Sequence, residues 1–155
     1  MDNLESIYTD VIMEQSTATY NKHKIENATA SEHGHNPSCG DDITLEIIMD
    51  GDTIKDLAFT GHGCAISQAS TSIMIDLIKG KTKEEAINLI NIFIKMIKRE
   101  SVAEEDLEKL EEARALQNIS NMPARVKCAL LAWHTIEDML NKNDSTGTGN
   151  INCCQ

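Results

Sequence analysis

Three cysteines stand in short, unusual contexts. Cys39 lies in Asn36-Pro37-Ser38-Cys39-Gly40-Asp41, Cys64 in Gly61-His62-Gly63-Cys64-Ala65-Ile66-Ser67, and Cys128 in Pro123-Ala124-Arg125-Val126-Lys127-Cys128. Three thiolates with the carboxylate of Asp41 make a four-donor set of the kind zinc accepts. Pro37 disfavours helix at Asn36, and Gly40 lets the chain turn after the thiol. Cys39 and Asp41 are therefore expected to converge in a turn. Cys64 is predicted at a helix start, where unpaired N–H groups and the helix dipole favour a thiolate. Cys128 is predicted in the first turn of the final helix, with Arg125 and Lys127 adding positive charge. The competing reading makes each cysteine a small buried hydrophobe and Asp41 a turn residue. Three such placements together favour a shared metal or redox site.

Other residues with metal-binding or sulfur chemistry rank lower. His62 is an alternative fourth ligand behind Asp41, and equally a turn residue. His33 and His35 fall in a polar stretch and are expected in solvent; His134, beside Trp133, is expected at the surface. Cys153-Cys154 suggests a sulfur relay or metal donor, but no turn or cap in the sequence preorganises it.

The elements that must carry these residues follow from periodicity. Leu4, Ile7, Tyr8, Val11 and Ile12 recur at helical spacing. Residues 21–38 read as a polar connection with at most a short edge strand. Asp42–Met49 alternates as a half-buried strand, Asp50-Gly51-Asp52 signals a turn, and Thr53–Thr60 returns as the second strand of an antiparallel hairpin. Gly61-His62-Gly63 should end that strand in a tight turn. A helix is predicted over Ala65–Lys79 with Gly80 closing it, and another after the Thr82/Glu85 capping box. Ser101 with Glu104 repeats the box ahead of Leu107, Leu110 and Ala113. The last helix spans Arg125–Leu140. Residues 1–141 read as one α+β domain, a small antiparallel sheet packed against several helices. The Asn-, Ser-, Thr- and Gly-rich stretch 142–155 is expected to be disordered.

Composition excludes several functions. The chain has 155 residues, enough for a core without disulfides, and its aromatic content of 3% makes that core aliphatic. A net charge of −11 argues against binding nucleic acid or an acidic membrane, and favours a basic patch on a protein partner. No apolar run is long enough to span a bilayer, and Met1-Asp2-Asn3-Leu4-Glu5 has no signal-peptide character. A cytoplasmic location is expected, where five cysteines serve as thiols or ligands more readily than as disulfides.

The three cysteine blocks, in order and with the flanking Gln68-Ala69-Ser70 and Ala129-Leu130-Leu131-Ala132-Trp133, resemble the SufU proteins of the IscU/NifU-like iron–sulfur scaffold superfamily. The resemblance runs from the first helix to about Leu140. Two features place it nearer SufU than IscU: an extra helical segment around Lys95–Ile119, and Lys127 where IscU-type scaffolds carry a histidine before the third cysteine. The resemblance implies zinc held by Cys39, Asp41, Cys64 and Cys128. It implies that Cys39 accepts persulfide sulfur from a SufS-type cysteine desulfurase, and that a histidine of the desulfurase displaces Cys39 from the metal. Arg125 matches the arginine of the third block, with a role in orienting or stabilising charge on sulfur. Downstream Suf assembly proteins or apo-proteins would receive the sulfur. Two alternatives remain: a scaffold for a labile [2Fe–2S] cluster on the same cysteines, and a zinc that only staples the fold.

Overall fold

The computed structural model describes residues 2–142 and 150–152. The elements in order are α1 (Asp2–Thr17), β1 (Ala30–Asn36), β2 (Asp41–Asp50), β3 (Thr53–His62), α2 (Ala65–Ile78), α3 (Lys83–Ile97), α4 (Glu104–Glu108), a 3-10 helix (Glu111–Asn121), α5 (Pro123–Lys142) and β4 (Asn150–Asn152). The sheet order is β3-β2-β1-β4, the first three strands antiparallel and β4 parallel to β1. The architecture is α+β, as the sequence predicts.

The β2–β3 hairpin forms where alternation places it. Ile43, Leu45 and Ile47 of β2 and Ile54, Leu57 and Phe59 of β3 are buried together. A register shift at Ile48/Met49 interrupts the alternation, leaving both residues half-buried. β3 runs on through Gly61 and His62, which pair with Ile43 and Asp42. The expected Gly-His-Gly turn is therefore shorter than predicted. Gly61 adopts φ +119°, and a Cβ there would collide with the Asp42 carbonyl oxygen. Only glycine lets β3 lie this close to β2.

β1 is a full strand, seven residues long, within the stretch read as a connection. Its inward residues are Glu32, Gly34 and Asn36. No apolar alternation marks it, so hydrophobic periodicity passes over it. Gly34 carries no Cβ because α5 lies there: an added carbon would strike Thr135 Oγ1.

α2 and α5 pack on the sheet and on each other, and α1 packs on α2. Trp133 of α5 is fully buried and stacks on Phe93 of α3, with ring centroids 3.7 Å apart. Its indole Nε1–H donates to Ser70 Oγ on α2 at 2.8 Å, and the Ser70 hydroxyl donates to the Ala129 carbonyl at 2.6 Å. This relay fixes the helix carrying Cys128 against the helix that starts at Cys64.

The Thr82/Glu85 capping box forms at the start of α3, and Gly80 adopts φ +87° after α2. The second box does not form. α4 begins after Ala103 without a side-chain cap and lasts five residues, and the chain then tightens into the 3-10 helix. Glu111 enters that helix at φ +51°, which breaks the α-helical path that the Leu107, Leu110 and Ala113 spacing would have continued. α5 begins at Pro123, so Cys128 stands in its second turn rather than its first. Within the stretch expected to be disordered, Lys142 closes α5, and Asn150–Asn152 pair with β1. A short edge pairing needs only backbone donors and acceptors, which leave no hydrophobic pattern. Cys153 and Cys154 lie outside the described residues.

Candidate metal and sulfur site

The site forms at one end of the sheet. Asn36 and Asp41 pair as the last residue of β1 and the first of β2, so Pro37–Gly40 is the loop of that hairpin with Cys39 near its tip. Gly40 takes φ +72° and turns the chain back into β2. The Asn36 side chain accepts from the Ser38 amide at 3.3 Å, and its carbonyl accepts from the Cys39 amide at 3.2 Å. Cys39 is thereby held part-exposed, while Asp41 beneath it is fully buried.

The Cys39 and Cys128 sulfurs lie 2.8 Å apart. Cys39, Asp41 and Cys128 each offer a ligand atom, and all these atoms fall within 4.8 Å of one another. Among the described residues this is the group so placed, and His62 has no part in it. Cys64 joins it from the side. Its backbone N–H donates to Asp41 Oδ1 at 2.8 Å, and its sulfur caps α2 by accepting from the Ser67 amide at 3.4 Å. The expected helix-start position of Cys64 is thus realised. Gly63 makes the approach possible, since a Cβ on it would stand 2.6 Å from Asp41 Oδ1.

Burial pushes the Cys128 thiol well above the ordinary range, and hydrogen bonding with Cys39, Cys64 and Asp41 pushes it in the same direction. The expectation of a helix start acting on Cys128 gives way to desolvation, because the dipole's effect fades beyond the first turn. The Cys39 and Cys128 sulfurs and the buried Asp41 carboxylate crowd one another, with the Cys64 sulfur outside that closest group, and a cation among them would reverse that balance by favouring the thiolates. The donor set, rich in sulfur with one hard oxygen, fits zinc.

Arg125 Nη1 lies 4.0 Å from Cys39 Sγ, on the solvent side of the site. Hydrogen bonding to Cys128 and the charges of Cys64, Cys128 and Cys39 hold the guanidinium firmly protonated.

The sequence does not single out Asn36 as a working side chain. Fully buried, its Nδ2 donates to Asp41 Oδ2 at 3.4 Å and reaches Cys128 Sγ at 3.7 Å. The available signal was an asparagine immediately before proline, at a position suited to an Asx turn. His33, expected in solvent, contacts Asp42 Oδ1 at 2.8 Å and stacks on His35. His134 is part-exposed, as expected, with Nδ1 3.6 Å from Glu137 Oε1.

Comparison with known proteins settles the family. The family model described as the NifU-like N terminal domain matches residues 7–129. The chain belongs to that family. It is 40% identical to the iron–sulfur cluster assembly scaffold protein IscU of Thermotoga maritima, covering 88% of this chain and 94% of the relative. It is 38% identical to the zinc-dependent sulfurtransferase SufU of Bacillus subtilis, covering 92% and 95%. A crystal structure from Fervidobacterium islandicum, described as that of a scaffold protein for the SUF system, superposes with a TM-score of 0.79 at 44% identity over 88% of this chain and 98% of that one. The SufU/IscU-like resemblance read from the cysteine blocks is thus borne out, and the relatives are iron–sulfur cluster assembly proteins.

Proposed function

We propose that the protein is a zinc-dependent sulfur acceptor that takes persulfide sulfur from a SufS-type cysteine desulfurase and passes it toward iron–sulfur cluster assembly. The supporting observation is the asymmetry of the site: Cys39 is reachable at a hairpin tip, while Asp41 and Cys128 beside it are buried. A sulfur acceptor needs one thiol that meets a partner and others that stay behind.

Cys39, Asp41, Cys64 and Cys128 would hold the zinc. When bound, zinc keeps the sulfurs deprotonated and brings no redox chemistry that would reduce a persulfide. Cys39 then acts as the nucleophile. Its thiolate attacks the outer sulfur of the desulfurase persulfide, a new S–S bond forms, and the desulfurase cysteine leaves as a thiolate. Arg125 steadies negative charge on the Cys39 sulfur with a guanidinium that stays protonated. Asn36 orients Asp41 and Cys128. The acidic net charge of −11 suits docking on a basic face of the desulfurase.

The scaffold function is the second reading, supported by the name of the Thermotoga relative. Identity to the IscU-named and SufU-named relatives is nearly equal at 40% and 38%, so identity does not divide them. Lys127 and the segment between α3 and α5 favour the acceptor. The test is to isolate the protein in air, measure bound metal, and follow sulfide release by a desulfurase supplied with cysteine. The acceptor reading expects about one zinc per chain, as one four-donor site implies, faster turnover, and no stimulation by Cys39→Ala. Full stimulation by that variant would remove Cys39 as acceptor. A brown chromophore that transfers to an apo-protein would favour the scaffold, and zinc without any effect on turnover would leave only a stapling role.

A further inference from the structure

The face of the sheet turned away from α2 and α5 carries chemistry that the cysteine site does not use. Successive residues of a strand point to opposite faces. Asp41 therefore turns inward and Asp42 outward on β2, as Asn36 turns inward and His35 outward on β1. Register brings the outward residues together. Asp42 pairs with His35 on β1 and with His62 on β3. Directly paired residues share a face, so one carboxylate stands between two imidazoles in a single cross-strand row. His33, two residues before His35 on the same face, reaches Asp42 diagonally, with Nε2 2.8 Å from Oδ1. The His33 and His35 rings stack with centroids 6.2 Å apart. All four side chains are reachable from solvent: those of His33 and Asp42 are 36% and 41% exposed, His35 is half-buried and His62 is exposed.

The geometry points to a second metal site on this outer face, which takes a divalent first-row cation through His33, His35, Asp42 and His62. It stands independently of the sulfur-acceptor reading. A cross-strand ion pair accounts for His33 and Asp42, but not for two further imidazoles flanking the same carboxylate. Three imidazoles with one carboxylate and no sulfur select zinc, nickel, copper or iron over magnesium or calcium. Entering the 2.8 Å contact, the cation takes lone pairs from His33 Nε2 and Asp42 Oδ1, and neutral His33 keeps its proton on Nδ1. Among the described residues the cysteine cluster is the group whose donors already lie within 4.8 Å of one another, so His35 and His62 come to the ion by rotating their side chains. Paired strands about 4.8 Å apart put both within reach of Asp42. The net charge of −11 draws cations to the surface. Adjacent aspartates of β2 thereby address opposite faces, Asp41 the cysteine cluster and Asp42 the imidazoles.

The experiment starts from the full chain supplied with zinc and titrates nickel, with both metals counted per chain after equilibrium dialysis. About one nickel is expected to add without displacing zinc, as one further imidazole site implies. Paramagnetic nickel should broaden the imidazole signals of His33, His35 and His62 more than those of His23 and His134. His35→Gln and His62→Gln should each weaken nickel at least about tenfold, since a lost ligand outweighs a lost orienting group, while zinc retention and circular dichroism stay native. Cys39→Ser should keep the nickel whether or not it holds zinc, which separates this site from the cysteine cluster. The double variant Cys153→Ser with Cys154→Ser should keep it too. Nickel that displaces zinc, fails to bind, or binds unchanged to His35→Gln and His62→Gln overturns the site. Nickel lost from either cysteine variant assigns the ion to thiols and overturns it as well.

Discussion

Asn36 holds both a carboxylate and a sulfur from a buried position. Replacing it with alanine leaves Asp41 short of a donor and is expected to cost about 1–3 kcal/mol in a denaturant titration. Cation affinity should fall about 10–100-fold, as when a group orienting a ligand is lost, and chelator competition reads that directly. Gly63→Ala tests the other side of Asp41. Its Cβ would press on Oδ1, so cation retention should fall although no donor is removed. Gly51→Ala is the control. Gly51, unlike Gly63, has a positive φ, and open space surrounds it, so the change should cost about 1 kcal/mol of stability while leaving cation retention intact. Equal retention in the two alanine variants would show that Gly63 does not govern Asp41. At this scale the candidate donors were legible because cysteine and aspartate advertise their chemistry. Asn36 was not, because an amide acquires its role only from what stands opposite it in the folded hairpin.

The α2–α5 contact decides whether Cys64 and Cys128 meet. The Ser70 hydroxyl accepts a hydrogen bond from the Trp133 indole N–H and donates one to the Ala129 carbonyl. Ser70→Ala strands a buried N–H and should destabilise the protein by about 1–3 kcal/mol, measured by denaturant unfolding. On the other side of α5, Glu32 is 1% exposed and contacts Lys142. Burial and the nearby Asp138 raise its pKa, and Lys142 opposes them. A raised folded-state value means that the native protein holds this proton more tightly than the unfolded chain. Glu32 therefore contributes most stability below the ordinary glutamate pKa of about 4.3, and that contribution is lost as the pH rises from there through the raised native value. Glu32→Gln should remove this slope, so its stability relative to the native chain improves from acid toward neutral pH. An unchanged difference across that window would show that Glu32 titrates normally. Periodicity revealed β2, β3, α2 and α3 because each buries an apolar face. It passed over β1 and β4, whose pairing rests on backbone groups, and it overextended α4, where one positive-φ residue redirects the chain.

As a whole, the molecule places one soft-donor cluster at the edge of an otherwise complete aliphatic core. The core residues of β2, β3, α2, α3 and α5 form a buried apolar cluster that includes none of the four candidate donors. Under the proposed zinc reading, a chelator should therefore lower the melting temperature without unfolding the chain at room temperature. Readdition at about 100 times Kd should restore about 2.7 kcal/mol. Complete unfolding on chelation would assign the metal a stapling role instead. Among the described residues no helix is long and apolar enough to cross a membrane.

The sequence by itself determined the fold class, the hairpin, the first capping box and the identity of the candidate site residues. Each of these depends on local chemistry: alternation, cap geometry, or the affinity of sulfur for soft cations. Only the tertiary structure decided that Cys39 and Cys128 stand side by side while Cys64 reaches Asp41 through its backbone amide. The same holds for Asn36 and for the pairing of β4 with β1. Those relations join residues far apart along the chain, and their distances are set by helix and strand packing that no local pattern encodes.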